Sequence, residues 1–189
     1  MKAEEEFHLL KEIKKNPETF EIIYEEYFNR IFAYVFKRTL DYNIAKDICS
    51  EIFIKAFIGI KNYKWQNTPL VVWLFKIAQN EIRLYFRSKK YRPEYLSSDF
   101  SKFRNQISPG VEEERINTEN QLLKKNTVRN LVENINRLPV NERETISLKY
   151  IENLTYDEIA QVLKMKTGTV KSHISRGLKK LRKMQPTSK

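Results

Sequence analysis

This chain has few of the residues that would direct it to several classes of protein. It contains 1 cysteine, Cys49, so no disulfide can form within the chain, and no zinc-site spacing surrounds it. Its histidines, His8 and His173, are far apart in sequence, and no glycine-rich phosphate loop or metal-ligand cluster is present. The sequence therefore argues against an enzyme, a cofactor and a bound metal. Cys49 is interpreted as a small buried apolar residue rather than a reactive thiol.

Long hydrophobic runs are also absent. No segment approaches the run of about 20 apolar residues that a membrane span requires. The opening sequence MKAEEEF is acidic, whereas a secretory signal is basic and then apolar. We therefore expect a cytoplasmic protein that does not insert into a membrane. Hydrophobic residues make up 41% of the 189 residues, which is enough for the cores of two small domains.

Glycine is scarce, with 4 in the chain, and no sustained alternation of apolar and polar residues indicates a sheet. Apolar residues instead recur at steps of three and four, which is typical of helices with one buried face. The sequence predicts an all-α protein. Three helices are expected after Pro17, the second with Asp41 as its N-cap. Their predicted apolar faces are Phe20, Ile23, Tyr24, Tyr27, Ile31, Tyr34 and Val35; Ala45, Ile48, Cys49, Ile52, Phe53, Ala56 and Phe57; and Leu70, Trp73, Leu74, Ile77, Ala78, Ile82 and Tyr85.

The helical period breaks between residues 93 and 117, where prolines, serines and a glycine cluster. This pattern predicts a flexible linker at 93–117 between an N-terminal helical bundle, 1–92, and a C-terminal helical bundle, 118–185. The linker carries Tyr95, Phe100 and Phe103. These aromatic residues leave two possibilities open, a loosely tethered strand or a segment that docks in a groove of a partner.

The net charge is +11, and its distribution along the chain is uneven. Acidic residues dominate the first thirty positions. Two basic clusters follow, which predicts two separate surfaces for an anionic partner such as nucleic acid. The first comprises Arg83, Arg87, Lys89, Lys90 and Arg92, and the second, which contains no acid, comprises Lys164, Lys166, Lys171, Arg176, Lys179, Lys180, Arg182, Lys183 and Lys189.

The segment 155–183 has the pattern of a helix-turn-helix. Thr155 followed three residues later by Glu158 predicts a capping box at the start of a short helix. A turn at 164–166 leads to Thr167, a candidate N-cap for a second helix. That helix has one apolar face, formed by Val170, Ile174, Leu178 and Leu181. Its opposite face carries hydroxyl and cationic side chains, which suit the major groove of double-stranded DNA: Lys171, Ser172, Ser175, Arg176 and Lys179.

Three other interpretations of this helix are open. A surface helix with solvated lysines is disfavoured because no acid balances the cations. A helix that binds membrane surfaces needs bulky Trp or Phe on its apolar side, which this one lacks. A repressor or activator whose N-terminal half senses a ligand or dimerises explains the helix-turn-helix equally well. It does not explain the basic cluster at 83–92 or the loop at 62–68, which contains Tyr63 and Trp65.

The chain resembles the extracytoplasmic-function (ECF) group of bacterial RNA polymerase sigma factors over nearly its whole length. The segment 138–183 resembles region 4 of that family, including its Leu-Pro start and the Gly-Thr-Val entry to the second helix. The segment 45–57 is similar to region 2.2, and 69–90 to regions 2.3 and 2.4. The resemblance implies a transcription initiation factor that binds core RNA polymerase, directs it to promoters and helps to melt the DNA.

The resemblance also implies which residues contact DNA. In the C-terminal domain the contacts to the minus-35 element would be Thr169, Lys171, Ser172, Ser175, Arg176 and Lys179. In the N-terminal domain the contacts to the minus-10 region would be Tyr63, Trp65, Lys76, Asn80, Arg83 and Arg87. In the family the loop that here spans 62–68 accommodates an unstacked base of the melted non-template strand. Aromatic rings suit that role because stacking tolerates any base, although Trp65 is equally open to a role as a lid on the core.

The resemblance implies that core polymerase contacts Asp47, Ser50 and Glu51. Without the resemblance, the two acids are interpreted as ordinary solvated charges on a helix. An anti-sigma factor is a further implied partner. Three positions depart from the family pattern. Ser50 replaces a common Gln, Gln79 replaces a frequent Arg, and Lys164 replaces a Gly that often closes the turn. A left-handed backbone at Lys164 would cost roughly 1 kcal/mol relative to glycine.

Overall fold

The computed structural model describes residues 3–65, 68–88 and 130–184. Every regular element in these ranges is helical, which confirms the all-α prediction. The described residues fall into two compact units, one in each half of the chain. The predicted linker, 93–117, and the domain boundaries beside it lie outside the described residues. None of the helices in the described ranges combines the length and apolar character that a membrane crossing requires.

The N-terminal unit contains four α-helices, which are α1 (Ala3–Lys15), α2 (Phe20–Thr39), α3 (Tyr42–Ile60) and α4 (Leu70–Ser88). A short 3-10 helix, Pro17–Thr19, lies between α1 and α2. Asp41 is the N-cap of α3, as predicted, because its side chain accepts a hydrogen bond from the Ile44 N–H at 3.0 Å. Helix α1 was not predicted, although Phe7, Leu10 and Ile13 repeat at three-residue steps.

The core of the N-terminal unit follows the predicted apolar faces of α2, α3 and α4. Residues from all three helices are fully buried, among them Ile23, Ile31, Val35, Ala45, Cys49, Ile52, Ala56, Leu70, Leu74 and Ala78. Two residues that were assigned to these faces are more exposed, Tyr24 at 42% and Phe57 at 41%. Both lie at the rim, where Tyr24 packs against Phe53 with ring centroids 4.9 Å apart and Phe57 packs against Phe20 at 5.3 Å.

The C-terminal unit contains α5 (Val140–Ile146), a π-helical turn (Ser147–Ile151), α6 (Tyr156–Leu163) and α7 (Thr167–Met184), and residues 130–136 before α5 are also helical. One buried cluster holds the unit together. It joins α7 to α5 and to the segment before α5, and it consists of Ile135, Leu138, Ile146 and Leu181, with Ile151 and Leu178 packed against it. The core therefore buries the back of α7 and leaves its front in solvent.

Candidate nucleic-acid and polymerase interfaces

Helices α6 and α7 form the predicted helix-turn-helix. Helix α6 starts with the predicted capping box, since Thr155 Oγ1 accepts from the Glu158 N–H at 3.2 Å and Glu158 Oε2 accepts from the Thr155 N–H at 2.7 Å. It ends at Lys164, whose φ of 55° and ψ of 48° are left-handed. A lysine thus occupies the conformation for which glycine is favoured, at a cost of roughly 1 kcal/mol.

The role predicted for Thr167 as an N-cap was wrong. Thr167 is the first residue of α7, and its hydroxyl donates to Asp157 Oδ1 of α6 at 2.9 Å. The N-cap is the residue before the first helical residue, which here is Lys166, whose backbone oxygen accepts from the Val170 N–H at 3.1 Å. The Thr167 side chain instead joins the two helices through an exposed hydrogen bond.

The two faces of α7 are arranged as the sequence predicted. Val170 is 0% exposed, Ile174 4% and Leu181 9%, while Leu178 is half-buried. All six residues expected to contact the minus-35 element are exposed, namely Thr169, Lys171, Ser172, Ser175, Arg176 and Lys179. This basic and hydroxyl-bearing surface, the α7 front, is therefore available to a ligand.

Two residues that sequence reasoning did not single out hold side chains of the α7 front. Lys171 Nζ lies 5.5 Å from the centroid of the Tyr156 ring, and Arg176 Nη2 lies 3.1 Å from His173 Nδ1. The three-residue spacing of His173 and Arg176 signals their proximity on a helix. No sequence signal links Tyr156 to Lys171, because that contact depends on how α6 and α7 pack.

Not every cation of the C-terminal basic cluster belongs to the α7 front. Lys180 Nζ lies 2.8 Å from Glu142 Oε2 of α5, and the Glu142 side chain is 8% exposed. An ammonium that is paired with a buried carboxylate is already neutralised. The number of lysines in the sequence therefore overstates the charge that a DNA phosphate can meet.

Helix α4 presents its expected DNA contacts along one side. Asn80, Arg83 and Arg87 are exposed and Lys76 is half-buried, at spacings of four, three and four that place them on one helical face. The buried residues Leu74, Ala78 and Ile82 lie on the opposite side. The remaining members of the first basic cluster, Lys89, Lys90 and Arg92, lie outside the described residues.

The aromatic residues of the loop before α4 are half-buried and rest on neighbouring rings. Tyr63 packs on Trp73 of α4 with ring centroids 4.8 Å apart, and Trp65 lies 6.3 Å from Phe7 of α1. Burial, with a smaller effect from Glu6, raises the pKa of the Tyr63 hydroxyl. Each ring thus has an aromatic neighbour and stays partly exposed.

Gln79, which stands where the family often has Arg, is buried at 1% exposure. Its amide donates to the hydroxyl of Tyr34, which is also buried. A glutamine fits this interior better than a guanidinium because it brings no charge that must be desolvated. Gln79 therefore lies in the interior, beneath the exposed face of α4. The adjacent Asn80 stays exposed on that face.

Helix α3 carries the residues expected to contact polymerase. Asp47, Ser50 and Glu51 are all exposed, and the hydroxyl of Ser50 donates to the backbone oxygen of Lys46 at 3.0 Å. Two apolar residues that the sequence analysis did not include continue the same side, Ile54 at 52% and Ile58 at 66% exposure. Both isoleucines fall outside the predicted buried face of α3, and this position was the sequence signal that they would be exposed. We call the residues Asp47, Ser50, Glu51, Ile54 and Ile58 the α3 stripe.

The described residues contain no group of three or more His, Cys, Asp or Glu side chains arranged to hold a metal ion. Cys49 is 0% exposed in the interior of the N-terminal unit. Burial raises the pKa of the Cys49 thiol to about 12. The side chain therefore stays protonated at neutral pH and lacks the thiolate that nucleophilic chemistry needs.

Comparison with known proteins defines the class of this protein. Residues 23–92 match the family model Sigma-70 region 2, and residues 127–181 match Sigma-70, region 4. The ECF RNA polymerase sigma factor SigW of Bacillus subtilis is 30% identical over 182 residues, which cover 92% of this chain and 93% of SigW. The ECF RNA polymerase sigma-E factor of Escherichia coli K12 is 28% identical over 174 residues, covering 92% of this chain and 90% of that protein. These matches define a bacterial transcription initiation factor.

The chain belongs to the ECF family of RNA polymerase sigma factors, and its activity is promoter-specific initiation of transcription with RNA polymerase. Solved structures agree in fold. CnrH, in complex with the cytosolic domain of CnrY, has a TM-score of 0.66 at 18% identity, covering 93% of this chain and 94% of CnrH. The sigma factor RpoE of Bartonella quintana, in complex with the anti-sigma factor NepR, has a TM-score of 0.64 at 17% identity, covering 90% of this chain and 98% of RpoE.

Proposed function

We propose that this sigma factor holds a promoter at two places and that each unit has its own task. The C-terminal unit reads the minus-35 element with the α7 front. The N-terminal unit contacts the minus-10 region with α4 and captures a base with the loop before it. The observation that carries the proposal is the exposure of all six candidate residues on α7 above a buried apolar back.

At the minus-35 element, α7 enters the major groove with its front toward the bases. Lys171, Ser172, Ser175 and Arg176 contact base edges, while Thr169 and Lys179 lie near phosphates. The side-chain chemistry supports this division, since Arg reads guanine through two parallel hydrogen bonds and short hydroxyls read several bases. The contacts that Tyr156 and His173 make with Lys171 and Arg176 reduce the freedom that these long side chains would lose on binding.

At the minus-10 region, the cations of α4 follow the backbone of the DNA, and Asn80 contacts a base. Tyr63 and Trp65 stack on an unpaired base of the non-template strand. Stacking of a base on an aromatic ring contributes about 1–3 kcal/mol. That free energy supports promoter melting because it is available only once the base has left the duplex.

Core polymerase binds the α3 stripe. Its amino-terminal half is acidic, at Asp47 and Glu51, and its carboxyl-terminal half is apolar, at Ile54 and Ile58. An exposed apolar patch rimmed by charges is typical of a protein interface. Ile58→Glu should weaken binding to core polymerase without unfolding the protein, because the native side chain is 66% exposed. Ile22→Glu on α2, where Ile22 is 48% exposed, is the matched control and should leave polymerase binding unchanged.

Run-off transcription with purified core polymerase tests the proposal as a whole. The protein should direct initiation at start sites preceded by a shared minus-35 sequence and a shared minus-10 sequence. Variants of the α7 front should lose sequence preference at the minus-35 element only. Trp65→Ala should reduce the yield of open complexes and leave the minus-35 preference unchanged. Duplex DNA binding without any binding to core polymerase would point to an ordinary regulator and overturn the proposal.

We also propose an anti-sigma factor as a partner, and a cytoplasmic site of action. The Bartonella quintana RpoE, a protein of the same fold, was solved bound to the anti-sigma factor NepR, and CnrH was solved bound to the cytosolic domain of CnrY. A purified candidate should compete with core polymerase for the native chain. Simultaneous binding of both would argue against an inhibitory partner.

A further inference from the structure

The buried carboxylate of Glu6 joins three helices of the N-terminal unit. Glu6 lies on α1 and is 2% exposed. Its Oε2 accepts a hydrogen bond from the N–H of Leu70, the first residue of α4, at 2.8 Å. Its Oε1 accepts from the hydroxyl of Tyr27 on α2. A buried acid with donors on two other helices fixes the start of α4 and the way α2 and α4 face α1.

The position of Glu6 at the start of α4 is electrostatically favourable. The first N–H groups of a helix have no partner within the helix and carry partial positive charge, so a carboxylate there is stabilised. Burial, and then the hydrogen bond to Glu6, raise the pKa of the Tyr27 hydroxyl. That hydroxyl therefore stays protonated at neutral pH and continues to donate to Glu6.

Helix α1 also contacts the loop that carries the aromatic residues. Lys14 Nζ donates to the backbone oxygen of Tyr63 at 3.2 Å. The Phe7 ring lies 6.3 Å from the ring of Trp65, and Lys11 Nζ sits 4.2 Å from the Phe7 centroid. The loop is thus held from two sides, with Trp73 of α4 behind Tyr63 and Phe7 of α1 beside Trp65.

We infer that α1 positions the base-capturing loop for promoter opening, with Glu6 as the positioning residue that fixes the start of α4 and Phe7 as the support for Trp65. The inference rests on the proposed capture of a base by Trp65. It extends that proposal to α1, whose residues precede the segment 23–92 that matches Sigma-70 region 2. The physical advantage is preorganisation, because a loop already held in place loses less conformational freedom when a base docks.

The test compares open-complex formation by holoenzymes that contain full-length variants, measured as permanganate reactivity of minus-10 thymines. Glu6→Ala should reduce opening of a fully paired promoter by about tenfold, the size of a lost hydrogen bond to a charged group. Glu6→Gln should recover part of the loss, since an amide keeps one acceptor oxygen. Glu4→Ala is the matched control, because Glu4 is exposed on the same helix and should open promoters normally.

A premelted promoter separates positioning from loss of structure. On a template whose minus-10 bases are already unpaired, no free energy of melting is needed. Both Glu6→Ala and Phe7→Ala should therefore form complexes on it in the same yield as the native protein. A defect of the same size on that template would overturn the inference. Phe7 is 37% exposed, so Phe7→Ala keeps the test decisive if Glu6→Ala does not fold.

Trp65→Ala, measured in parallel, distinguishes failure of this inference from failure of the proposed function. Normal opening by Trp65→Ala would overturn base capture and the positioning role with it. Defective opening by Trp65→Ala together with normal opening by Glu6→Ala and Phe7→Ala would overturn the positioning role alone.

Discussion

Gly177 of α7 lies directly against Ile146 of α5, so that a Cβ at position 177 would come within 2.4 Å of Ile146 Cδ1. Ile146 is 1% exposed and belongs to the buried cluster of the C-terminal unit. Helix α7 therefore packs on the rest of its unit at a point where an added methyl group would force Ile146 to shift.

We expect Gly177→Ala to destabilise the protein by about 1 kcal/mol. Overpacking a core costs about 1–3 kcal/mol and exceeds the gain of about 1 kcal/mol in helix propensity. Gly168→Ala, in the same helix, should instead stabilise by about 0.5 kcal/mol, since nothing lies within 4 Å of its Cβ position. Urea unfolding of both variants checks the signs, and a stabilised Gly177→Ala protein would contradict the close packing.

Arg176→Ala should weaken binding to a cognate minus-35 duplex by about 1–3 kcal/mol and relax preference at one base pair. Arg176→Lys is the informative comparison, because it keeps the charge and loses the planar pair of donors. It should retain the salt dependence while losing the base preference. Binding to a set of duplexes substituted at each position measures both effects. A uniform loss on every duplex would show that Arg176 touches only phosphate.

The adjacent residues Lys179 and Lys180 should differ in their effect on DNA binding. Lys179→Ala should reduce the slope of log affinity against log salt by about 1, the value for one lost phosphate contact. Lys180→Ala should leave that slope unchanged but destabilise the protein by about 1–3 kcal/mol, because it leaves the buried Glu142 without its ammonium partner. Titrations at several salt concentrations, with thermal unfolding of each variant, check the contrast. Equal slopes for both variants would argue against it.

The raised pKa of the Cys49 thiol predicts that the protein loses stability at alkaline pH. Its folded pKa is raised to about 12, whereas an unfolded thiol titrates near about 8.5. Above that pH the unfolded chain releases a proton that the folded chain keeps, so stability falls by about 1.4 kcal/mol per pH unit until the folded thiol titrates. Cys49→Ala should flatten this slope between pH 9 and 11 in urea unfolding. The hydroxyls of Tyr27, Tyr63 and Tyr85, whose pKa values burial also raises, contribute to the slope that remains.

Features that depend on a few neighbouring residues were predictable from the sequence. The capping box of Thr155 and Glu158 and the N-cap of Asp41 were found as expected, because each requires only a side chain and an N–H two or three positions further on. The two faces of α7 were likewise predictable from a helical period. The exposure of the candidate DNA contacts follows from that period, although their roles stay predictions.

Features that depend on packing between distant segments were not predictable. Nothing local marks Glu6 as buried, since Glu4 and Glu5 beside it are exposed and differ only in the side of α1 on which they lie. The contact of Tyr156 with Lys171 and the pairing of Lys180 with Glu142 also join different helices. The bond of Thr167 to Asp157 was missed for the same reason, because it exists only once α6 and α7 have met.

The three-helix junction at Glu6 has a practical consequence for anyone who dissects this protein into fragments. A fragment trimmed to the segment that matches Sigma-70 region 2 starts at residue 23 and discards α1. The Leu70 N–H and the Tyr27 hydroxyl would then lose their acceptor, and the rings of the loop would lose the Phe7 support. The boundary of the sequence family and the boundary of the packed N-terminal unit therefore differ by α1, the 3-10 helix and the first residues of α2.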